Sequence, residues 1–218
     1  MIGPGENMRS KKHLIFLVIL LLFFPGCDKP TLTGVESDHI DTSKDPIQKP
    51  YLSDDPIVQE IKSGHFRITP VAEYKISGVV VSKESYSSGW DGKISPMDLA
   101  IVWGKLAEPE YDQYLTYHQG NRWYFYRYKG GNPLDPSYVI SHSGNHHIIP
   151  ANENIHRAIQ NIKEKDGVLL EGFLVNIKGT YKGQTVFWNT SLSRTDTGNG
   201  SCELFYVVKV RIDTRIYE

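Results

Sequence analysis

Seven residues carry the densest concentration of side chains able to do chemistry, Ser141-His142-Ser143-Gly144-Asn145-His146-His147, with three of the chain's eight histidines. Imidazole exchanges a proton near neutral pH and ligates metals, so such a cluster suits general acid–base work, anion recognition or metal binding. Two assemblies use it. A hydrolase would take a nucleophile from Ser143, Ser191 or Ser193, a base from His142 or His147, and an orienting carboxylate from Asp98 or Asp196. A metal centre would take His142 with His146 or His147 and a carboxylate such as Asp98 or Glu203. Neither has a supporting motif: the chain contains no G-x-S-x-G, H-E-x-x-H or C-x-x-C pattern. The expectation is therefore no metal and no cofactor. The catalytic candidates are His142, His147, Ser193 and Asp196, and binding takes precedence over catalysis. In the plainest alternative these side chains cap a loop and fill a barrel mouth.

A second polar stretch runs from Asn189 to Ser201 and holds Ser191, Ser193, Arg194 and Asp196. Connections this long in compact domains are often functional. The conservative reading is a turn-rich loop in which Asp196 accepts backbone amides and Arg194 meets a carboxylate. Trp90-Asp91-Gly92, inside a polar segment, is the aromatic group expected to be exposed. The predicted ligand-binding set is thus Trp90, Asp91, His142, Asn145, His147 and Arg194. An apolar patch near Trp90 would instead mark a purely structural partner of an envelope machine.

Those loops need a scaffold, and the apolar patterning predicts one that is mainly β. Phe66 to Ser82, Arg122 to Tyr128, Val168 to Ile177, Thr185 to Trp188 and Cys202 to Ile212 read as strands. Alternation assigns Phe66, Tyr74, Trp123 and Phe125 to the interior. Gly78 suggests a bulge or close approach. Asp98 to Trp103 fits either a short helix or a buried strand. The clearest helix follows Asn152 as cap, with Ile155, Ala158, Ile159 and Ile162 on one face and Lys163 and Lys165 beyond its end. A short helical turn is expected over Pro56 to Lys62. Strands, one helix, then a hairpin and a strand predict a small barrel or closed sheet with one docked helix, in the element order of the oligonucleotide/oligosaccharide-binding (OB) type. Fold order by itself carries no function.

The N-terminal stretch sets the address. Arg9, Lys11 and Lys12 precede an unbroken apolar run, Leu14 to Phe24, which ends in Pro25-Gly26-Cys27. The run holds 11 residues, too few to span a bilayer, which takes about 20. Basic segment, short apolar run and a small residue before cysteine form an export signal. The pattern resembles the bacterial lipoprotein class, in which cleavage leaves the cysteine as a lipid-bearing N-terminus. That resemblance implies lipidation of Cys27, acyl chains sufficient for stable membrane anchoring, and an extracytoplasmic position. In diderm bacteria Asp28 resembles the signal for retention in the inner membrane, with the domain facing the periplasm. Met8, directly before the basic segment, is the expected start.

The organisation read from sequence is a signal over 1–26, a lipidated cysteine with a disordered tether over 27–64, and one β-rich domain over 65–218. The tether is rich in Pro, Ser, Thr, Asp and Lys without a sustained period. Its reach is about 30 Å. The chain has 24 cationic and 25 anionic residues; residues 1–26 hold three and one of these, so the remainder carries −3. That balance argues against a nucleic-acid partner. With Cys27 acylated, no intrachain disulfide is available to Cys202, which reads as a buried small apolar residue. The expected role is a membrane-anchored binding or envelope-assembly module with a protein partner. An extracytoplasmic hydrolase built from the same loops is the alternative; the small-molecule ligand is left open.

Overall fold

The structure is a computed structural model that describes residues 29–53, 55–131, 133–193, 195 and 201–218. The segment expected to be an export signal, with Cys27, Asp28, Arg194 and Asp196, lies outside the described residues. Among the described residues no helix is long and apolar enough to cross a membrane.

In chain order the strands begin with β1 (Gly34–Val35), β2 (Ile47–Pro50), β3 (Ile57–Ile61) and the 22-residue β4 (Gly64–Ser85). Helix α1 (Gly89–Ile94) leads into β5 (Met97–Val102), and a hairpin of β6 (Leu115–Gly120) and β7 (Trp123–Tyr128) follows. Then come α2 (Pro136–Ser141), β8 (Ser143–Pro150) and α3 (Glu153–Gln160). The chain continues through β9 (Gly167–Tyr181), β10 (Gln184–Asn189), β11 (Glu203–Ile212) and β12 (Arg215–Tyr217).

Five strands close on themselves. β4 pairs with β5, β5 with β8, β8 with β11 in parallel, β11 with β9, and β9 with β4. Numbering these ring strands by chain order, the circuit runs first, second, third, fifth, fourth, with α3 between third and fourth. This is the OB-type element order expected from the sequence. The fold is mainly β, and the docked helix is the predicted one. Asn152 Oδ1 accepts from the Ile155 amide at 2.9 Å, and Ile155, Ala158 and Ile159 are buried against the barrel interior. That interior also holds Leu99, Ile101, Ile148, Leu170, Leu174 and Phe205.

One inserted residue divides the core. β4 alternates without interruption from Phe66 to Val80, yet its pairing with β9 slips between Pro70 and Ala72. A bulge of this kind turns subsequent side chains to the opposite face. Ala72, Tyr74 and Ile76 therefore point into the barrel. Phe66 and Ile68 belong to a second cluster with Val175, Ile177, Ile149 and Leu204. The long β4–β9 ribbon thus lines the barrel with one half and folds back over its outer surface with the other. Gly78 is needed where β4 crosses β5, because a Cβ there would stand 2.5 Å from the Val102 carbonyl oxygen.

Several expectations are corrected. The segment expected to be a disordered tether is bonded to the domain from Thr31, whose amide donates to Asn154 Oδ1 at 2.6 Å. β1 pairs with β12 and β2 with β4, and Ile40 is buried. Arg211, almost fully buried, ties Glu36 by an ion pair at 2.6 Å and bonds the Asp38 carbonyl; Asp45 Oδ1 accepts from Trp103 Nε1 at 3.1 Å. Isolated anchoring contacts on a neighbouring edge leave no period in the sequence, which is why this segment reads as unstructured. Pro56 to Lys62 is not a helical turn; Ile57–Ile61 pairs with β4 as a strand. Of the two readings left open for Asp98 to Trp103, the buried strand is the one found: Asp98 to Val102 belong to β5, whose six residues are all buried, and Trp103 follows it. The histidine segment is not a loop: Ser143–Pro150 is β8, preceded by the unexpected helix α2. Trp123 and Phe125 face solvent, 37% and 45% exposed, while Tyr124 and Tyr126 turn inward. Trp90 is half-buried, stacked on Phe66 at 5.6 Å and edge-on to Trp188 at 6.0 Å. Cys202 is only partly buried.

Candidate functional site

On the outer face of the barrel, β5 and β8 present Asp98 directly opposite His147 and Ala100 opposite Asn145. In OB-type barrels this face, with the first-to-second and fourth-to-fifth strand connections, is where oligonucleotides and oligosaccharides sit. Here the first-to-second connection supplies α1 with Trp90 and Asp91. The connection from second to third strand supplies the β6–β7 hairpin, and the hairpin lies over the face.

Arg122 fastens it. Asn121 and Arg122 form the hairpin tip at φ 52° and φ 69°, in the left-handed region that side-chain-bearing residues rarely occupy. From there Arg122 Nη1 donates to Asp98 Oδ1 at 2.7 Å. Nε and Nη2 donate to Asp91 Oδ2, each at 3.2 Å, and Nη2 also donates to the Ser95 carbonyl at 2.9 Å. The guanidinium lies over the Tyr86 ring at 3.7 Å, and the Tyr86 hydroxyl accepts from the Arg122 amide at 2.9 Å. Burial pushes the Tyr86 hydroxyl above its usual pKa, so it stays a neutral partner. Asn145 completes the latch: its Nδ2 donates to the Arg122 carbonyl at 3.2 Å, and its Oδ1 accepts from Gln119 Nε2 at 2.5 Å.

Asp98 is 0% exposed and His147 3%. His147 Nδ1 stands 2.8 Å from Asp98 Oδ1, close enough for strong attraction but without hydrogen-bond alignment. Trp188 covers the imidazole at 4.7 Å between ring centres. Asp98 Oδ2 has no hydrogen-bond partner among the described residues. Buried ions are tolerated when paired, and Asp98 with Arg122 is such a pair.

The remaining candidates do not converge on this point. His146 is on the other face of β8, inside the barrel, where the Tyr74 hydroxyl meets its Nε2 at 3.3 Å. Burial holds its pKa down at about 4, leaving it neutral at neutral pH. His142 lies before β8, about 16 Å from His147 along an extended strand. Its ring stacks on Tyr138 at 3.7 Å, and Nε2 faces Asp45 at 3.7 Å. The Ser143 hydroxyl donates to the Val139 carbonyl at 2.7 Å, and that of Ser191 to the Ser193 carbonyl at 3.1 Å. Ser193 itself is exposed in its own loop.

Of the sequence-predicted set, Asp91, Asp98, Asn145 and His147 are brought together, and His142 and Ser193 are not. Because His146 and His147 point to opposite faces, they cannot share one ion. Among the described residues no group of three or more His, Cys, Asp or Glu is placed to hold a metal. Arg122, the centre of the arrangement, was missed; the signal for it is the Gly120-Asn121-Arg122 turn between two β-prone runs, which demands positive φ.

The chain matches no family model, no curated protein and no solved structure.

Proposed function

We propose that this protein is a membrane-anchored, extracytoplasmic binding or envelope-assembly module, tethered through lipid on Cys27 and meeting a protein partner with the outer face of the β6–β7 hairpin. One observation carries the reading. The side chains best suited to chemistry, Asp98 and His147, are buried beneath the hairpin that Arg122 fastens to Asp98, while that hairpin turns Trp123, Phe125 and His118 outward. Phe125 and His118 stack at 4.9 Å, and with Trp123 they form a rigid aromatic row across paired strands. Exposed aromatic side chains on a rigid support are the usual anchors of protein interfaces.

The test is site-specific photo-crosslinking in membranes, with the crosslinker at residue 125 and, as a control, at residue 58, which is at least as exposed. The reading expects a discrete adduct from 125 that is lost on Trp123→Ala and absent from 58. Equal labelling at both positions overturns it. The address is tested separately: Cys27→Ser should leave the membrane fraction.

A second reading, an extracytoplasmic hydrolase, is favoured by the 2.8 Å approach of His147 to Asp98. It requires the hairpin to open and a serine to enter. Covalent labelling of Ser191 or Ser193 by a fluorophosphonate would support it.

A further inference from the structure

The folded-back half of the β4–β9 ribbon turns Phe66, Ile68, Val175 and Ile177 inward, so its other face meets solvent. Register across strands β3, β4, β9 and β10 sets Val58, Arg67, Lys178 and Phe187 in one row and Thr69, Asn176 and Asn189 in the next. Phe187 is 74% exposed. Arg67 and Lys178 stand directly opposite each other, an arrangement that opposes folding by like-charge repulsion. Among the described residues no acidic side chain pairs with either cation. Glu60, the acid on this face, is occupied with His65. At the adjoining end two turns meet, the Lys182 amide donating to the Ser63 carbonyl at 2.8 Å, which adds Lys62 and Lys182 nearby. Between the strands lies a groove of about 410 Å³, lined by Thr69, Asn176, Lys178, Thr185, Phe187 and Asn189.

Two features here cost the free protein something and gain nothing within it, an uncovered phenyl ring and two unneutralised cations side by side, and polar side chains stand beside them: the Asn189 amide faces solvent, while Asn176 Oδ1 accepts from the Thr190 amide at 3.1 Å and leaves its Nδ2 to donate. A single ligand chemistry uses all of them. We infer that this groove binds a polymer of acidic sugars. The Phe187 ring takes the apolar face of a pyranose, the Asn189 and Asn176 amides and the Thr69 and Thr185 hydroxyls meet ring hydroxyls, and Arg67 with Lys178 meet the carboxylates. A nucleic-acid strand fits less well, since strand binders carry several stacking rings along a basic track and this face has one. The groove is on a different surface from the hairpin, so the inference stands or falls independently of the proposed function.

The experiment is affinity electrophoresis of the full chain in gels containing polygalacturonate, neutral dextran or oligothymidylate. Polygalacturonate should retard the protein and dextran should not, with the effect falling as salt rises. Phe187→Ala should weaken binding about tenfold, and Arg67→Ala or Lys178→Ala about threefold each. All three side chains are exposed, so unchanged melting temperatures will show that the variants remain folded. Trp123→Ala, on the hairpin, should have no effect. Absence of retardation, retardation unaltered by Phe187→Ala, or equal retardation by oligothymidylate would each overturn the inference.

Discussion

Arg122, held at positive φ on a hairpin tip, reaches 2.7 Å to Asp98, a carboxylate with no solvent exposure on the barrel wall. The pair joins an inserted hairpin to the ring, and it converts an open OB-type face into an internal contact. Removing Arg122 alone should be severe, because Asp98 would be left charged and buried: Arg122→Ala is expected to cost about 3–5 kcal/mol in urea unfolding. The double variant Arg122→Ala/Asp98→Asn should be less destabilised than Arg122→Ala, since no buried charge remains. Hydrogen exchange across residues 115–128 should rise in both. A double variant as unstable as the single one would refute the latch.

Stability should fall in mild acid through His146. Its folded pKa is depressed to about 4 by burial. The unfolded chain takes up the proton near pH 6.5, so lowering the pH between these values favours unfolding. The stabilisation is fully present above about pH 6.5 and is lost as the pH falls towards 4, in all about 3 kcal/mol. Comparing wild type with His146→Gln across this range isolates the contribution: the variant should show a flatter profile. Parallel profiles would exclude His146 as the origin.

The seam between β9 and β11 tolerates no side chain at Gly172, where a Cβ would lie 2.0 Å from the Tyr206 carbonyl oxygen. Gly172→Ala should therefore cost about 1–3 kcal/mol by forcing the two backbones apart. Gly167, on the same strand with nothing within 4 Å of its Cβ position, provides the contrast. Gly167→Ala should be neutral or stabilising by about 0.5 kcal/mol. In thermal melts Gly172→Ala should fall below wild type and Gly167→Ala should not.

The orientation of β7 is open to direct test. Trp123→Ser and Phe125→Ser should each change stability by less than about 0.5 kcal/mol, as for other exposed positions. Tyr124→Ala should cost about 2 kcal/mol or more, because its ring lies beneath the hairpin, where burial raises its pKa. The reverse ranking would return Trp123 and Phe125 to the interior.

Much of the scaffold was legible because it rests on local rules. Asn152 followed by Ile155, Ala158 and Ile159 specifies a capped amphipathic helix, and the β-prone runs mark the ring strands. Alternation, however, fixes two faces without saying which is inward. β7 is aromatic on both, so the side was decided by the hairpin tip and by where Arg122 had to reach. The same limit hid the split core: even-numbered residues from Phe66 to Val80 form one unbroken pattern, and only the slip at Val71 sends them to different clusters. For the site, His147 and Asp98 were each legible by residue type, as alternatives to His142 and Asp196, without any signal that those two would meet. Arg122 was not, because a cation beside a strand ordinarily reads as a solvated edge, and its role depends on contacts 24 and 31 positions away.

The parallel seam between β8 and β11 also dictates an order of events during synthesis. The ring cannot close until Glu203–Ile212 slots between β8 and β9, partners that are complete many residues earlier. A nascent chain stopped before this segment keeps two raw strand margins and an open core, and contacts so distant in sequence form slowly. The ring consequently stays open until β11 itself has emerged, with β8 and β9 already synthesised and each lacking the strand that joins them.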